Sequence, residues 1–457
     1  MKWKMIVSTL LLFATFVSAE EPLNLSLESS FDLALANNPS YQIKVKELKK
    51  AKAGVTESYS AIMPQISASA SLQKAWSIQE NTIPNFIKFM LGPSFPGVEF
   101  MPDYVRLSFG LENTLVYGAS LSQPLFLGGA GVAGIKIAGS AYQTAIQNLE
   151  LARQDLLYQT VAAFYGCILA DQVVKVREDV LLESEKNLQV VRQKYDAGAA
   201  SKFDLMRAEV NVANSRPDAI SARNNYNNAL TLLKMILALP AKQSIQVNGE
   251  LSYLEDEFTA LSLEDYQQLA LQQRPEVEML EQTKAIAHQG VTIARSAYLP
   301  KVFFQTDYSY MGMRNDMKFV QDDFSKGFTS AVALQLPLFT SFRTTKQYQK
   351  ARLDYRIAQD TENQAIDGIN AEVEASFHNL IEAKEKYASA SETVDMATES
   401  LRLANMMYEE GGNTQLDVFT AQLGLTSAKM NYLSSLYSYQ MARYSLRKVT
   451  GQLKSIL

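Results

Sequence analysis

Residues 195–205 read YDAGAASKFDL, and residues 408–418 read YEEGGNTQLDV. Tyrosine, an acid, glycine and aspartate recur at matching positions, 213 residues apart. A long run of helical spacing precedes each stretch. Glycine just past a helix is the usual left-handed cap, so Gly198 and Gly411 each end one helix. Ser201 and Thr414 then cap the next, with Asp204 and Asp417 three residues on, the spacing of a capping box. The stretch is a helical hairpin turn, made twice. Completing the boxes is sufficient reason for the two aspartates, and it does not exclude a second role.

The flanks explain the repetition. The offset of 213 also carries PLF (124–126) onto PLF (337–339). Further upstream the offset is 236: LSLE (25–28) recurs at 261–264, Pro39 meets Pro275, and GVT (54–56) meets GVT (290–292). From Leu25 and Leu261 onward, 15 of 40 ungapped positions are identical, too many for chance. The offset changes between Pro64 and Pro124, which places an insertion in the first copy, over 81–104. Its Pro84, Gly92, Pro93, Pro96, Gly97 and Pro102 read as loop. The chain is a tandem duplication: a first repeat over 20–240, a linker over 241–260 and a second repeat over 261–457.

Both copies have the same order of elements. Ser26 and Ser262 cap a short helix, and Pro39 and Pro275 suit the first position of another. Period-two alternation follows. Ile66, Ala68, Ala70 and Leu72 alternate with serine and glutamine, and residues 107–121 alternate likewise. In the second copy Val302, Phe304, Tyr308 and Tyr310 oppose Gln305, Asp307 and Ser309. One apolar and one small-polar face mark strands between two different solvents. Hairpins are expected over 65–124 and 301–338, which makes four strands per chain. Long helices are expected over 134–195 and 342–410, and further helices over 201–238 and 414–449, with Pro217 kinking the third near Asn214.

The first nineteen residues read as a secretory leader: a basic MKWK, an apolar core over 5–17, and small residues before a cut after Ala19. The alternative is an N-terminal anchor. With 43 basic and 48 acidic residues the chain lacks the basic footprint of a nucleic-acid binder. Cys167 is the single cysteine, so no disulfide framework exists. His288 and His378 lie on separate helices with no second ligand nearby. No nucleophile elbow, phosphate loop or zinc spacing appears, and neither metal nor cofactor is expected. These absences point away from catalysis.

Strands with lipid-type and water-type faces suit a membrane barrel. Four strands cannot close one, and lipid does not tolerate open edges. Two chains would supply eight strands with a filled interior; three would supply twelve and leave a pore. A soluble sandwich beside a coiled coil, as in a periplasmic adaptor or poreless structural protein, is the alternative.

Two repeats of helix, hairpin, PLF, long helix, Tyr-x-x-Gly-x5-Asp and last helix resemble the TolC-like outer-membrane efflux proteins across nearly all of residues 25–451. SQPLFLGG (122–129) and LQLPLFTS (335–342), with Pro124 and Pro337, are similar to that family's strand-to-helix junctions. The resemblance implies an α-helix-dominated homotrimer with a 12-stranded barrel in outer-membrane lipid and an α-helical tunnel in the periplasm. It implies a passive exit duct, served by a periplasmic adaptor and an inner-membrane pump. It also implies a tunnel mouth closed by polar links and an aspartate ring. Asp204 matches a link aspartate, Tyr408 its tyrosine partner, and Asp417 the ring aspartate. Two positions depart from the pattern: the linking arginine is Asn413 and a second ring aspartate is Thr420. A looser lock and a single tier of carboxylates are expected.

Overall fold

The computed structural model describes residues 22–453; the leader expected over 1–19 lies outside the described residues. The first repeat comprises β1 (Leu23–Leu25), α1 (Leu27–Asn37), α2 (Pro39–Ser58), β2 (Gln65–Lys74), β3 (Glu80–Pro84), α3 (Phe86–Leu91), β4 (Tyr104–Ser108), β5 (Asn113–Phe126), α4 (Ala130–Asp196) and α5 (Lys202–Ile236). A short β6 (Ile245–Val247) follows. The second repeat comprises α6 (Leu263–Gln273), α7 (Pro275–Ser296), β7 (Lys301–Arg314), β8 (Phe324–Gln335), α8 (Arg343–Glu409) and α9 (Gln415–Val449). Helices α4 and α8 are both 67 residues long, and α5 and α9 both 35. The two helical hairpins therefore align without a gap. At 1.5 Å per residue each long helix runs about 100 Å.

Local chemistry sets the boundaries. Ser26 and Ser262 cap α1 and α6 through complete capping boxes. The first long helix begins at Ala130 rather than 134, because Gly128 and Gly129, at φ 64° and 90°, turn the chain into it. At the equivalent junction of the second repeat the left-handed residues are Ser341 and Phe342, at φ 50° and 64°. A bulky residue in that region is strained. Helix α5 runs through Pro217 as one element. Ala208, Val212, Ser215, Ala219 and Ala222 are buried along it, and this packed face holds the helix together where the proline withholds a donor.

The chain divides into two compact units. One holds Lys50–Gln143 and Glu281–Asp360 and contains an antiparallel sheet in the order β2-β5-β7-β8. One face carries rows such as Ala68, Ala119, Tyr308, Phe328 and Leu72, Leu115, Gly312, Phe324. The other carries Ser67, Ser120, Asp307, Thr329 and Ser69, Gly118, Ser309, Gly327. Along β2 and β8, ten and twelve residues lack a partner strand on one side, so the sheet has two open edges. At Gly118 an added Cβ would lie 2.4 Å from the Tyr308 carbonyl oxygen and 2.8 Å from the Ser309 Cα. Both obstacles are backbone, so β5 and β7 must part. Gly118→Ala is expected to cost about 1–3 kcal/mol, read as a lower thermal midpoint and faster trypsin cleavage within the sheet.

The segment 81–104 is folded, not the loop expected. Strands β3 and β4 pair from Glu80 opposite Ser108 to Pro84 opposite Tyr104, and Asn85 caps α3 between them. Lys88 ties the motif together, donating to Asp103 at 2.7 Å and to the Met101 carbonyl at 2.9 Å. The prolines fall at a strand end and in the turns between elements, where no ladder donor is needed. The strand expected over 107–121 breaks before Asn113, where Gly110 at φ 130° turns the chain from β4 towards β5.

The other unit holds Thr144–Leu280 and the described parts of Met1–Lys49 and Thr361–Leu457. It contains the hydrophobic clusters, built on Leu25, Leu156 and Leu233, on Phe31, Val161 and Tyr444, and on Tyr266, Val373 and Tyr439. Cys167 is fully buried in the first of these. Burial pushes its thiol up to about 12, so it packs as a small apolar side chain. The Asn38 amide donates to the Ile236 carbonyl at 2.9 Å, joining the end of α5 to the start of α2. In the second repeat Gly451 takes φ 72° beside Gln273, whose carbonyl an added Cβ would meet at 2.8 Å.

The expected linker over 241–260 is bound along its length. Strand β6 pairs in parallel with β1. The Tyr439 hydroxyl donates to the Leu254 carbonyl at 2.7 Å, and the Tyr253 ring stacks on Tyr387 at 4.6 Å. Asp256 accepts from both Arg443 and Arg447 on α9.

Candidate functional site

The two hairpin turns have one geometry. After α4, the Ala199 N–H donates to the Lys194 carbonyl at 2.7 Å and Gly198 takes φ 72°. After α8, the Gly412 N–H donates to the Met407 carbonyl at 2.8 Å and Gly411 takes φ 80°. These bonds to the carbonyl five residues back, with a left-handed glycine, close both helices in the Schellman manner. Ser201 opens α5: its Oγ accepts the Asp204 N–H at 3.1 Å and donates to Asp204 Oδ2 at 2.6 Å. Thr414 opens α9 likewise, its hydroxyl donating to Asp417 Oδ2 at 2.6 Å and its N–H donating to the same oxygen at 2.9 Å. These hydrogen bonds hold the Asp417 carboxyl below the ordinary carboxylate range, so it is ionised at neutral pH.

Asn413, Leu416, Asp417 and Thr420 line one open groove of about 530 Å³ against Leu403 and Met407 of α8. Asp417 is exposed in it. Thr420 is uncharged and donates its hydroxyl back to the Leu416 carbonyl at 2.8 Å. Asp204 and Tyr408, the pair the resemblance links, share no hydrogen bond among the described residues. Asp204 is occupied by Ser201, and the Tyr408 ring lies under the Lys194 ammonium, 4.0 Å from its centroid. Lys194 was not singled out from sequence. The signal was present: the position equivalent to Lys194 in the second repeat is Met407, so only one copy sets a cation before its tyrosine.

Pro124 lies inside β5, at a register shift in the β5–β7 pairing that resumes at Phe126 opposite Val302, and Pro337 follows β8. Neither can donate to a ladder, and each lies within a few residues of the end of a strand that precedes a long helix. Tyr308 and Tyr310 group with Tyr117, Phe324 and Phe328 on one face of the sheet, whereas Phe86 and Tyr104 belong to the inserted motif. The Tyr117 and Tyr310 rings stack at 5.3 Å.

A family model described as outer membrane efflux protein matches residues 31–239 and 267–452. Among curated relatives, the outer membrane efflux protein BepC of Brucella suis biovar 1 is 23% identical over 352 residues, covering 75% of this chain and 73% of that protein. The alkaline protease secretion protein AprF of Pseudomonas aeruginosa is 22% identical over 451 residues, covering 95% and 86%. Among solved structures, the CmeC outer membrane channel of Campylobacter jejuni aligns with a TM-score of 0.74 at 19% identity, over 93% of this chain and 85% of that one.

Proposed function

The chain belongs to the outer membrane efflux protein family, and from that premise we propose that three copies close one twelve-stranded barrel and one helical tunnel. The chain is an outer-membrane transport duct and not an enzyme. The observation that carries the trimer is the sheet with two open edges, β2 and β8. Unpaired backbone groups are not tolerated in lipid, so neighbouring copies must pair β8 with β2 until the ring closes. Three sheets give a lumen wide enough to conduct, with Ser67, Ser120, Asp307 and Thr329 turned to water.

Nothing in the chain supplies energy. In this reading the duct is passive, and an inner-membrane pump with a periplasmic adaptor drives cargo into it. BepC is named for efflux and AprF for secretion of an alkaline protease, which supports an exit route for small molecules or secreted protein. Asp417, with Asn413 and Thr420 beside it, forms the constriction at the hairpin turns. The detergent-solubilised protein is expected to have the mass of three chains by native mass spectrometry and to give discrete conductance steps in planar bilayers. A water-soluble monomer without affinity for bilayers would refute the proposal.

A further inference from the structure

The two helical hairpins share a length and a turn but not their cross-bracing. Four ion pairs join α4 to α5: Arg177 to Asp218 at 3.1 Å, Glu178 to Arg223 at 2.6 Å, Glu185 to Arg216 at 3.3 Å and Arg192 to Glu209 at 3.0 Å. The equivalent positions of the second repeat are Ala390 and Asn431, Ser391 and Leu436, Thr398 and Lys429, Asn405 and Gln422. None of these can form an ion pair, and among the described residues none joins α8 to α9. Each exposed pair contributes little, but four in register resist sliding of α5 along α4. Helices α8 and α9 lack that brace.

Lys194 of α4 meets α8 from the first hairpin. Its ammonium lies 4.0 Å from the Tyr408 ring centroid, within cation–π range. Both side chains are half-buried, which strengthens the attraction over that of a solvated pair. They face a cavity of about 380 Å³ between the hairpins, lined also by Val190, Leu401 and Val418. Further along, α9 is tied to α4 by the Tyr437 hydroxyl to the Ala162 carbonyl at 3.4 Å and by Lys448, which pairs with Asp155 at 2.6 Å and lies over the Tyr158 ring at 5.2 Å. Those lie on the C-terminal half of α9, away from the turn. We propose that Lys194 is the positioning residue that holds the second hairpin's turn against the first through a cation–π contact with Tyr408. The link does not use the tyrosine hydroxyl. Resting on the channel reading above, this contact keeps the tunnel mouth narrow.

The chemistry sets the test. A cation–π latch survives Tyr408→Phe and Lys194→Arg, and fails in Tyr408→Leu and Lys194→Met. A hydrogen-bonded latch through the Tyr408 hydroxyl fails in Tyr408→Phe and ignores Lys194→Met. Two readouts on the full-length protein apply: single-channel conductance, and amide hydrogen exchange over 402–418. Lys194→Met and Tyr408→Leu are expected to raise exchange over 402–418 by about five- to thirtyfold and to enlarge the conductance step, with the two conservative variants near wild type. The latch is overturned if Lys194→Met leaves exchange unchanged, or if Tyr408→Phe behaves as Tyr408→Leu. A wild type without conductance steps would count against the channel reading alone, and hydrogen exchange would still decide the latch.

Discussion

Asp256→Ala is expected to lower the thermal midpoint of the protein by about 3–5 °C. Asp256 is the shared carboxylate of Arg443 and Arg447, whose side chains are only 12% and 14% exposed. Removing it leaves two guanidinium charges side by side without the carboxylate they share. Losing one partner of a fully buried ion pair costs about 3–5 kcal/mol. The Asp256 side chain keeps 31% of its exposure, so the effect here is about 2–3 kcal/mol. The change also removes one tie between α9 and the segment that joins the repeats, leaving the Tyr439 hydroxyl on the Leu254 carbonyl. Replacing Arg443, Arg447 and Asp256 together by Met, Met and Leu removes the charges as a set and should recover most of the loss.

The same pair predicts a pH dependence. Burial by itself would raise the Asp256 carboxyl, but the hydrogen bond from Arg443 and the two guanidinium charges overcome it and hold the carboxyl below its ordinary range. A value depressed by folding means the contribution is fully present above the unfolded carboxylate value near 4 and lost as pH falls through the lower folded one. The gap in midpoint between wild type and Asp256→Ala should therefore stay constant from about pH 7 to 5 and narrow below about pH 4. A gap that widens on acidification, or a midpoint unmoved at neutral pH, would show that the arginines find other partners.

What the sequence makes legible here is local or periodic. The Ser262 and Asp265 box, the glycines after α4 and α8, and the prolines opening α2 and α7 are readable because each acts within four residues. The duplication is readable because two copies of one pattern support each other. What could not be read joins distant segments. Arg443 meets Asp256 across 187 residues, and a segment without periodicity was taken for a tether. Lys194 reaches Tyr408 only because the two hairpins pack together. The insertion was misread for another reason. Its Gly and Pro density does mark turns, but turns packed this closely bound short elements, here β3, α3 and β4.

On the trimer proposed above, Asp417→Asn is expected to reduce the preference for cations over anions by about three- to tenfold, read from the reversal potential across a salt gradient. The carboxyl is exposed, and its hydrogen bonds from Thr414 keep it ionised at neutral pH. Three such charges converging on one opening concentrate negative potential where a permeating ion cannot avoid it. Thr420 is uncharged and turns its hydroxyl back to its own helix, so no second tier of charge stands behind the first. One substitution therefore empties the ring. Asparagine keeps an oxygen to accept from Thr414, which separates the two roles of the residue: the cap and the thermal midpoint should stay nearly unchanged while selectivity falls. Thr420→Asp makes the converse case, adding a tier one turn along α9 and raising cation preference above wild type. If the reversal potential of Asp417→Asn matches wild type with the midpoint intact, the carboxylate serves the helix cap alone and the constriction lies elsewhere.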